Sequence, residues 1–483
     1  MLNAPVVPSS RFVTLLSGPL VAGAMLALPP MSGMPPAAWK ATAVAAWMAI
    51  WWVTEAVPLS ATALLPLVLL PLLGILPVQA TAAPYSNPVI FLFLGGFLLA
   101  AAFEASGLHR RLALAMIARS GTRPDRIIAA FMVTAAFISL WVSNTATTLM
   151  LYPLALSVLD QARATSADGK ASRDFEVALL LAVAYAATIG GLGTLIGTPP
   201  NALLAAYMLE SHQVTIPFVR WMLYGVPIVI VALPITWWLL ARVLYRVPVV
   251  ELPLGREAIA AERARLGPMR RAEVTVAVVG SITALAWMFQ PLLGRLVPAL
   301  SDSTISVAAG LALLVIPIDR AGTRTLTWEQ AERIPWGVLI LFGGGLAVAA
   351  AIQDSGLAQW IGAAAGGLRD LPPVALIFSL TLLVVVLTEF TSNTATAATF
   401  LPIVASMAVG AGVDPLVLAA PAALAATSGF MLPAGTPPNA IIYASGRLAI
   451  RDMLRAGIWV DLLLTVVITI ATLTIMRPAL GLR

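Results

Sequence analysis

Long apolar stretches, separated by short polar or charged connectors, recur along the whole chain. Four such stretches come first, at residues 12–30, 37–54, 60–73 and 87–106. A helix needs about 20 predominantly apolar residues to cross the hydrocarbon of a bilayer. The first stretch could be mistaken for a signal peptide, but its length and the spans that follow favour a first transmembrane helix. The pattern predicts an all-α polytopic membrane protein.

The next apolar stretch, residues 127–159, is too long for a single crossing and carries Ser143, Asn144 and Thr145 at its centre. Basic residues flank both of its ends: Arg119, Arg123 and Arg126 before it, and Arg163, Lys170 and Arg173 after it. Since positive flanks favour the cytoplasm, both ends are expected there. The stretch is therefore predicted to be a re-entrant hairpin with a polar tip deep in the membrane.

Residues 175–210 form another stretch that is too long for one plain span. It is interrupted midway by several glycines and by the run Gly197-Thr198-Pro199-Pro200. Proline removes a backbone donor and clashes with the previous helical turn, so the helix should unwind there. Unwound backbone at membrane depth is tolerated only where it is buried in protein or lines a wet cavity. We therefore expect a broken helix.

The second half of the chain repeats these features. Ser-Asn-Thr-Ala-Thr occurs at 143–147 and again at 392–396, which is 249 positions later, and Ser106-Gly107-Leu108 recurs at the same distance. Gly-Thr-Pro-Pro-Asn occurs at 197–201 and again at 435–439, which is 238 positions later. A constant separation followed by one loop deletion is what an internal duplication leaves.

The second hairpin, predicted at 372–410, has few positive flanks, so its ends are expected outside and the two repeats are expected to be inverted. This arrangement predicts eleven spans and two hairpins, with the N-terminus inside and the C-terminus outside. The predicted division is 1–106 (scaffold helices of the first repeat), 107–210 (first hairpin and broken helix), 211–355 (linking and scaffold helices), 356–450 (second hairpin and broken helix) and 451–483 (last helix).

Composition narrows the function classes. Hydrophobic residues make up 60% of the chain and charged residues 10%, and the net charge of +6 is too small and scattered to indicate nucleic-acid binding. Absence of cysteine excludes disulfides and thiolate metal sites, and the two histidines lack a partner at helical spacing. An intramembrane enzyme would need a nucleophile with a base or a metal set, which the sequence does not offer. An anion channel would need a continuous pore, against which the broken-helix repeat argues.

The repeated polar runs carry the candidate chemistry. Inverted repeats with broken helices at the midplane are a common architecture of secondary transporters. A hairpin tip offers both a helix C-terminus, which suits cations, and a helix N-terminus, which suits anions. Hydroxyl and carbonyl oxygens could ligate hard cations, and amide and hydroxyl groups could donate to carboxylates. The candidate cation ligands are Ser139, Ser143, Thr388, Ser392 and the carbonyls of Gly197 and Gly435; the candidate donors are Asn144, Thr145, Asn393 and Thr394.

Alternative interpretations exist for these residues. Serine and threonine in membrane helices often hydrogen-bond to a carbonyl four residues earlier, although paired copies in a repeat favour a binding role. Glu389 has no acidic counterpart, since the residue 249 positions earlier is Leu140. It is either a proton-coupling group or a structural glutamate with a buried partner.

These motifs resemble the divalent-anion/sodium symporter family, which includes dicarboxylate, citrate and sulfate carriers. The resemblance rests on both Ser-Asn-Thr runs, both Gly-Thr-Pro-Pro-Asn runs, Trp-Trp-Val-Thr-Glu-Ala-Val-Pro at 51–58 and Ile-Pro-Trp at 334–336 with its glycine run. It covers nearly the whole chain. It implies a homodimer in which a scaffold domain dimerises and a transport domain carrying the hairpins moves as an elevator.

The resemblance also implies roles for residues. One sodium site would use Ser139, Ser143, Asn144 and Gly197, and the other would use Thr388, Ser392, Asn393 and Gly435. Substrate carboxylates would contact Asn144, Thr145, Asn393 and Thr394, flanked by Thr198 and Thr436. We therefore expect a sodium-coupled importer of small dicarboxylates such as succinate, surrounded by lipid in a bacterial inner membrane. A sodium-independent exchanger of the same family and a proton-coupled carrier using Glu389 are the alternatives.

Overall fold

A computed structural model describes residues 9–481, except 120, 122, 166–168 and 248–262. The predicted connector at 246–271 lies largely outside the described residues. The described chain is helical, and its one β-contact is the isolated bridge between Pro317 and Arg324. Seven of the described helical segments are long and apolar enough to cross a membrane. The all-α polytopic membrane fold is thus confirmed, whereas the count of eleven spans stays a prediction.

The first half contains the first predicted hairpin and the first broken helix. Its principal helices are α1 (Ser9–Ala27), α2 (Pro36–Thr54), α3 (Leu65–Leu72), α4 (Pro88–Ser106), α5 (Leu108–Ile117), α6 (Pro124–Ser139), α7 (Asn144–Thr165), α8 (Gly169–Gly191), α9 (Pro199–His212) and α10 (Phe218–Trp238). Short helical turns at Leu59–Thr62, Val78–Ala82 and Ala83–Ser86 join them, and a π-helical turn at Leu239–Leu244 extends α10.

The second half reproduces this order after two further helices. Its principal helices are α11 (Arg271–Met288), α12 (Asp302–Val315), α13 (Trp336–Asp354), α14 (Leu357–Ala364), α15 (Pro373–Thr388), α16 (Asn393–Gly410), α17 (Pro415–Thr427), α18 (Pro437–Ala444) and α19 (Ile450–Thr474). Short helices lie at Gln290–Leu296, Trp328–Ala331, Ala365–Asp370 and Met476–Leu480.

The duplication is visible in the backbone. Helices α6 and α15 begin at Pro124 and Pro373, and both end four residues before the serine of the tip. Gly107 and Gly356, also 249 positions apart, have φ angles of 80° and 84° and start α5 and α14. This left-handed conformation favours glycine, so the repeated Ser-Gly-Leu run marks a repeated sharp turn.

Helix α8 lies at the centre of the protein and is almost wholly buried. It packs against α6 and α7, which form the hairpin of the first half, and against α10. It also contacts α18 of the second half. Helices α15, α16 and α17 form the matching group, and α9 packs against α16 and α17. The two hairpins and the two broken helices therefore form one packed unit. In contrast, α11 exposes Val278, Ile282 and Leu285, as expected for a helix that faces lipid or another subunit.

Candidate functional site

The tip of the first hairpin brings four oxygen-bearing groups together, which we name the first oxygen cluster. The terminal amide atom of Asn144 lies 2.7 Å from the Ser139 hydroxyl, 3.1 Å from the Gly197 carbonyl oxygen and 3.2 Å from the Ala187 carbonyl oxygen. Ser139 is the last residue of α6 and Asn144 is the first of α7, so the hairpin itself places both side chains. The broken helix supplies the two carbonyls.

The tip of the second hairpin repeats this geometry, and we name its groups the second oxygen cluster. The terminal amide atom of Asn393 lies 2.7 Å from the Gly435 carbonyl oxygen, 3.0 Å from Thr388 Oγ1 and 3.2 Å from the Ala426 carbonyl oxygen. Thr388 Oγ1 also donates to the Ala426 carbonyl at 2.6 Å. Each sequence-predicted set of upstream hydroxyl, asparagine and glycine carbonyl is therefore found together.

The amide orientation decides what each cluster can do. With nitrogen at the terminal position, Asn144 donates to the Ala187 and Gly197 carbonyls, and Asn393 donates to those of Ala426 and Gly435. With oxygen at that position, several oxygens converge with too few hydrogens between them, which a cation or an added hydrogen-bond donor would reconcile. Oxygen ligands of this kind suit hard cations. The same side chain can thus satisfy its carbonyls itself or turn its oxygen toward an ion.

The breaks in the two long helices hold the glycine carbonyls in place. Helix α8 ends at Gly191 and α9 begins with the proline pair, as predicted; α17 ends at Thr427 and α18 begins with its own proline pair. Proline suits these first helical positions, because its missing N–H would have had no helical partner there. The unwound residues between the helices present their carbonyls to the tips.

Two asparagines that the sequence reasoning missed stabilise these breaks. The Asn201 amide nitrogen donates to the carbonyls of Thr194, Gly191 and Leu192 at 2.8, 3.2 and 3.4 Å. The Asn439 amide nitrogen donates to the carbonyls of Gly429 and Leu432, both at 3.1 Å. Both asparagines are fully buried. Their signal in the sequence was the last residue of the repeated Gly-Thr-Pro-Pro-Asn run.

Glycine is required where the break approaches the tip. A methyl group at Gly191 would lie 3.1 Å from Asn144 Cγ and 3.0 Å from the Gly197 carbonyl oxygen. At the second break, a methyl group at Gly435 would lie 2.7 Å from a carboxylate oxygen of Glu389. Any larger residue would push the carbonyls of each cluster away from its asparagine.

The remaining predicted residues lie around the clusters. Asn144, Thr145, Asn393 and Thr394 are half-buried, as are Ser143 and Ser392. The Ser143 hydroxyl accepts from the backbone N–H of Ala146 at 3.3 Å, so it caps α7 in this structure. Ser143 also lines a cleft of about 430 Å³ together with residues of α4 and the 330–335 segment. This cleft therefore adjoins the first tip.

Thr198 and Thr436 are buried, with 2% and 1% of their surface exposed. Thr198 Oγ1 lies 3.2 Å from Thr427 Oγ1 of the second half. Thr436 Oγ1 instead accepts from the backbone N–H of Asn439 at 3.3 Å and caps α18. The two flanking threonines therefore differ: one joins the halves, and the other caps the N-terminus of a helix.

The clusters themselves carry no formal charge. Among the described residues, no group of three histidine, aspartate or glutamate side chains is placed to hold a metal ion. Neutral oxygens bind a cation less tightly than carboxylates do, which suits an ion that must leave again. The first-turn N–H groups of α7 and α16 can meet an anion beside each cluster.

Comparison with known proteins agrees with this geometry. The family described as the sodium:sulfate symporter transmembrane region matches residues 9–480. The chain is 41% identical over 454 residues to the sodium-dependent dicarboxylate transporter SdcS of Staphylococcus aureus strain USA300, covering 92% of this chain and 87% of that protein. It is 42% identical over the same length to SdcS of strain MSSA476, with the same coverage.

Two solved transporters share the fold. The Alcanivorax borkumensis YdaH transporter superposes with a TM-score of 0.55 at 14% identity, covering 83% of this chain and 86% of that one. Neisseria gonorrhoeae MtrF, described as illuminating a class of antimetabolite efflux pumps, superposes with a TM-score of 0.59 at 14% identity, covering 97% and 95%. At this identity the likeness concerns the fold alone.

Proposed function

We propose that this chain, which belongs to the sodium:sulfate symporter family, imports small dicarboxylates together with sodium ions across a bacterial inner membrane. The protein is a membrane transporter rather than an enzyme. Its resemblance to divalent-anion/sodium symporters, expected from the repeated motifs, is confirmed. The observation that carries the proposal is the pair of matching oxygen clusters, one beside each hairpin tip.

Sodium coupling is supported by the geometry of the clusters. In each cluster, a hydroxyl oxygen and two backbone carbonyl oxygens lie within 3.2 Å of the terminal amide atom of the asparagine. When sodium binds, the asparagine turns its oxygen inward; when sodium leaves, its nitrogen donates to the carbonyls. The buried carbonyls of each cluster then have a partner in both states, the ion in one and the amide nitrogen in the other. The co-transported ions are held by Ser139, Asn144 and Gly197 in one cluster and by Thr388, Asn393 and Gly435 in the other, with Ser143 and Ser392 at their edges.

Dicarboxylate recognition is supported by the side of each tip that faces away from its cluster. Thr145 and Thr394 follow the cluster asparagines in the first turn of α7 and α16 and are half-buried. Hydroxyl and backbone N–H donors at a helix N-terminus suit a carboxylate. Two tips match the two carboxylates of a C4 substrate such as succinate, and two nearby cations offset its charge in a low dielectric. Thr198 and Thr436 lie behind these contacts.

An elevator movement in a homodimer is supported by the packing. The two hairpins, α8 and α17 form a mutually packed unit, whereas α2 and α13 border it along α16 and α9. Such a unit can move as a body against the remaining helices, which would dimerise. A crosslink between α2 and α16 should then block uptake without preventing substrate binding.

Uptake into proteoliposomes tests the proposal. Succinate, 2-oxoglutarate, citrate and sulfate are compared, each with and without an inward sodium gradient. The expected result is uptake of succinate that requires external sodium and not internal dicarboxylate. Uptake that needs only internal dicarboxylate would identify an exchanger, and uptake driven by a proton gradient without sodium would identify a proton-coupled carrier. Preferred uptake of sulfate would overturn the substrate assignment.

A further inference from the structure

Two buried carboxyl groups lie beside the second oxygen cluster. Glu389 directly follows α15 and is fully buried, and Asp461 lies within α19 with 3% of its surface exposed. The Glu389 carboxylate accepts from the backbone N–H groups of Met431 and Leu432, both at 2.8 Å. Asp461 Oδ1 accepts from the backbone N–H of Phe430 at 3.3 Å. Two carboxyl groups thus satisfy three consecutive N–H groups of the second break.

The first break satisfies its own N–H groups. Leu192 and Gly193 correspond to Phe430 and Met431, at the separation of 238 positions. The N–H of Leu192 donates to the Ile189 carbonyl at 3.1 Å, and that of Gly193 donates to the Gly190 carbonyl at 3.0 Å. The first break therefore continues in turns, whereas the second opens away from its helix.

The carboxyl pair has an apolar counterpart in the first half. Leu140 corresponds to Glu389. Gly225 of α10 and Gly457 of α19 approach equivalent places: a methyl group on Gly225 would lie 2.5 Å from the Leu192 carbonyl oxygen, and one on Gly457 would lie 2.5 Å from the Met431 nitrogen. Four residues beyond these glycines stand Val229 and Asp461. The same architecture therefore forms with leucine and valine in one half and with two acids in the other.

We propose that Glu389 and Asp461 are a positioning pair that holds the second break open and so fixes the second oxygen cluster. Because Met431 and Leu432 precede Gly435 by only a few residues, their hydrogen bonds to Glu389 determine where the Gly435 carbonyl lies. Asp461 in turn fixes Phe430 and contacts Glu389. The proposal deepens the proposed function, on which it rests, and assigns neither group to a transported ion.

One oxygen of the pair lacks a backbone donor. Three of its four oxygens accept backbone N–H groups, whereas Asp461 Oδ2 has no such donor. The two carboxyl groups are within hydrogen-bonding distance of each other. No basic side chain of the described residues pairs with either of them.

This arrangement predicts different outcomes for two substitutions at position 461. Asp461→Asn keeps every contact, since the amide oxygen accepts from Phe430 and the amide nitrogen donates to Glu389. Asp461→Val introduces the side chain found at the equivalent position of the first half, Val229, and removes both contacts. The matched control is Val229→Ala, which alters the equivalent position of the first half.

Sodium dependence of the full-length protein in proteoliposomes and sodium-induced thermal stabilisation in detergent are measured for all four proteins. We expect Asp461→Val to raise the half-maximal sodium concentration about tenfold, since a buried donor and acceptor lose their partners. Asp461→Asn and Val229→Ala should stay close to the parent protein. Detergent measurements keep the test informative if Asp461→Val is poorly inserted, because Asp461→Asn alone distinguishes a hydrogen-bonding role from a charge.

If Asp461→Asn loses sodium dependence as Asp461→Val does, the pair binds or carries a cation and the positioning role is wrong. Unchanged sodium dependence in Asp461→Val would also overturn it. A parent protein that shows no sodium dependence would instead overturn the proposed function, which keeps the two failures distinct.

Discussion

The two halves build matching oxygen clusters from breaks that are held in different ways. In the first half, residues 191–198 are entirely buried, and the N–H groups of Leu192 and Gly193 donate to carbonyls of the preceding helix. In the second half, Met431, Leu432 and Pro433 are partly exposed, Ala434 is exposed, and carboxyl groups on two other helices take the N–H groups. A duplicated architecture can therefore keep the geometry of its oxygen clusters while part of the support behind them changes.

The largest effect on transport is expected from removing the asparagine of either oxygen cluster. Asn144→Ala and Asn393→Ala each strip a buried set of oxygens of its partner, at a cost of about 1–3 kcal/mol or more. Sodium-driven dicarboxylate uptake should fall to background in both variants. Isothermal titration calorimetry should show the loss of substrate affinity. Near-normal uptake in both would contradict the assignment of the tips.

A smaller effect is expected from the asparagines that hold the breaks. Asn201→Ala removes a donor shared by three carbonyls, and Asn439→Ala removes one shared by two. Because the first break has no carboxyl support, Asn201→Ala should lower the free energy of unfolding by about 1–3 kcal/mol, a larger loss than that of Asn439→Ala. Thermal unfolding in detergent measures this. An equal or larger loss for Asn439→Ala would show that the carboxyl pair does not support the second break.

The contact between the halves can be tested at Tyr185 of α8. Its hydroxyl donates to the Phe430 carbonyl at 2.8 Å, so the first half also supports the second break. Tyr185→Phe should cost about 1 kcal/mol and raise the half-maximal sodium concentration. Tyr224→Phe is the control, since it removes a comparable bond, to Thr472 of α19, that does not involve the second break. Equal changes in sodium dependence would contradict the coupling.

The smallest effect should follow from exchanging the upstream hydroxyl residues. Thr388→Ser gives the second cluster the side chain of the first and keeps its hydroxyl, so it should cost about 0.8 kcal/mol for one buried methyl group. Sodium-dependent uptake should persist. Loss of sodium dependence in Thr388→Ser, with normal insertion, would show that the clusters are not interchangeable in their chemistry.

Much of this arrangement follows from the sequence, because the repeated motifs lie where long apolar stretches are interrupted. The second hairpin, predicted at 372–410, contains helices from Pro373 to Gly410. Both proline pairs mark helix starts. Asn144 and Gly197 stand in repeated motifs, and the family resemblance grouped them with Ser139, which lies one turn before the first tip.

The rest depends on backbone placement, which residue types do not reveal. The Ala187 and Ala426 carbonyls complete the clusters, yet alanine in a helix carries no sign of an exposed carbonyl. Asp461 could not be assigned to Glu389, since the two are far apart in sequence and α19 shows no repeated motif. Glu389 has buried partners in the backbone N–H groups of Met431 and Leu432, and the choice between its two interpretations stays a prediction.

The side chains of Asn201 and Asn439 have a consequence for ion affinity. Ordering an unwound segment costs conformational entropy, and a site that must order itself on binding loses that free energy from its affinity. Because each asparagine fixes its break during folding, the carbonyls are already arranged before an ion arrives. In the proposed sites, ion binding draws on rotation of one amide rather than on ordering of the backbone, which favours cation binding by uncharged ligands.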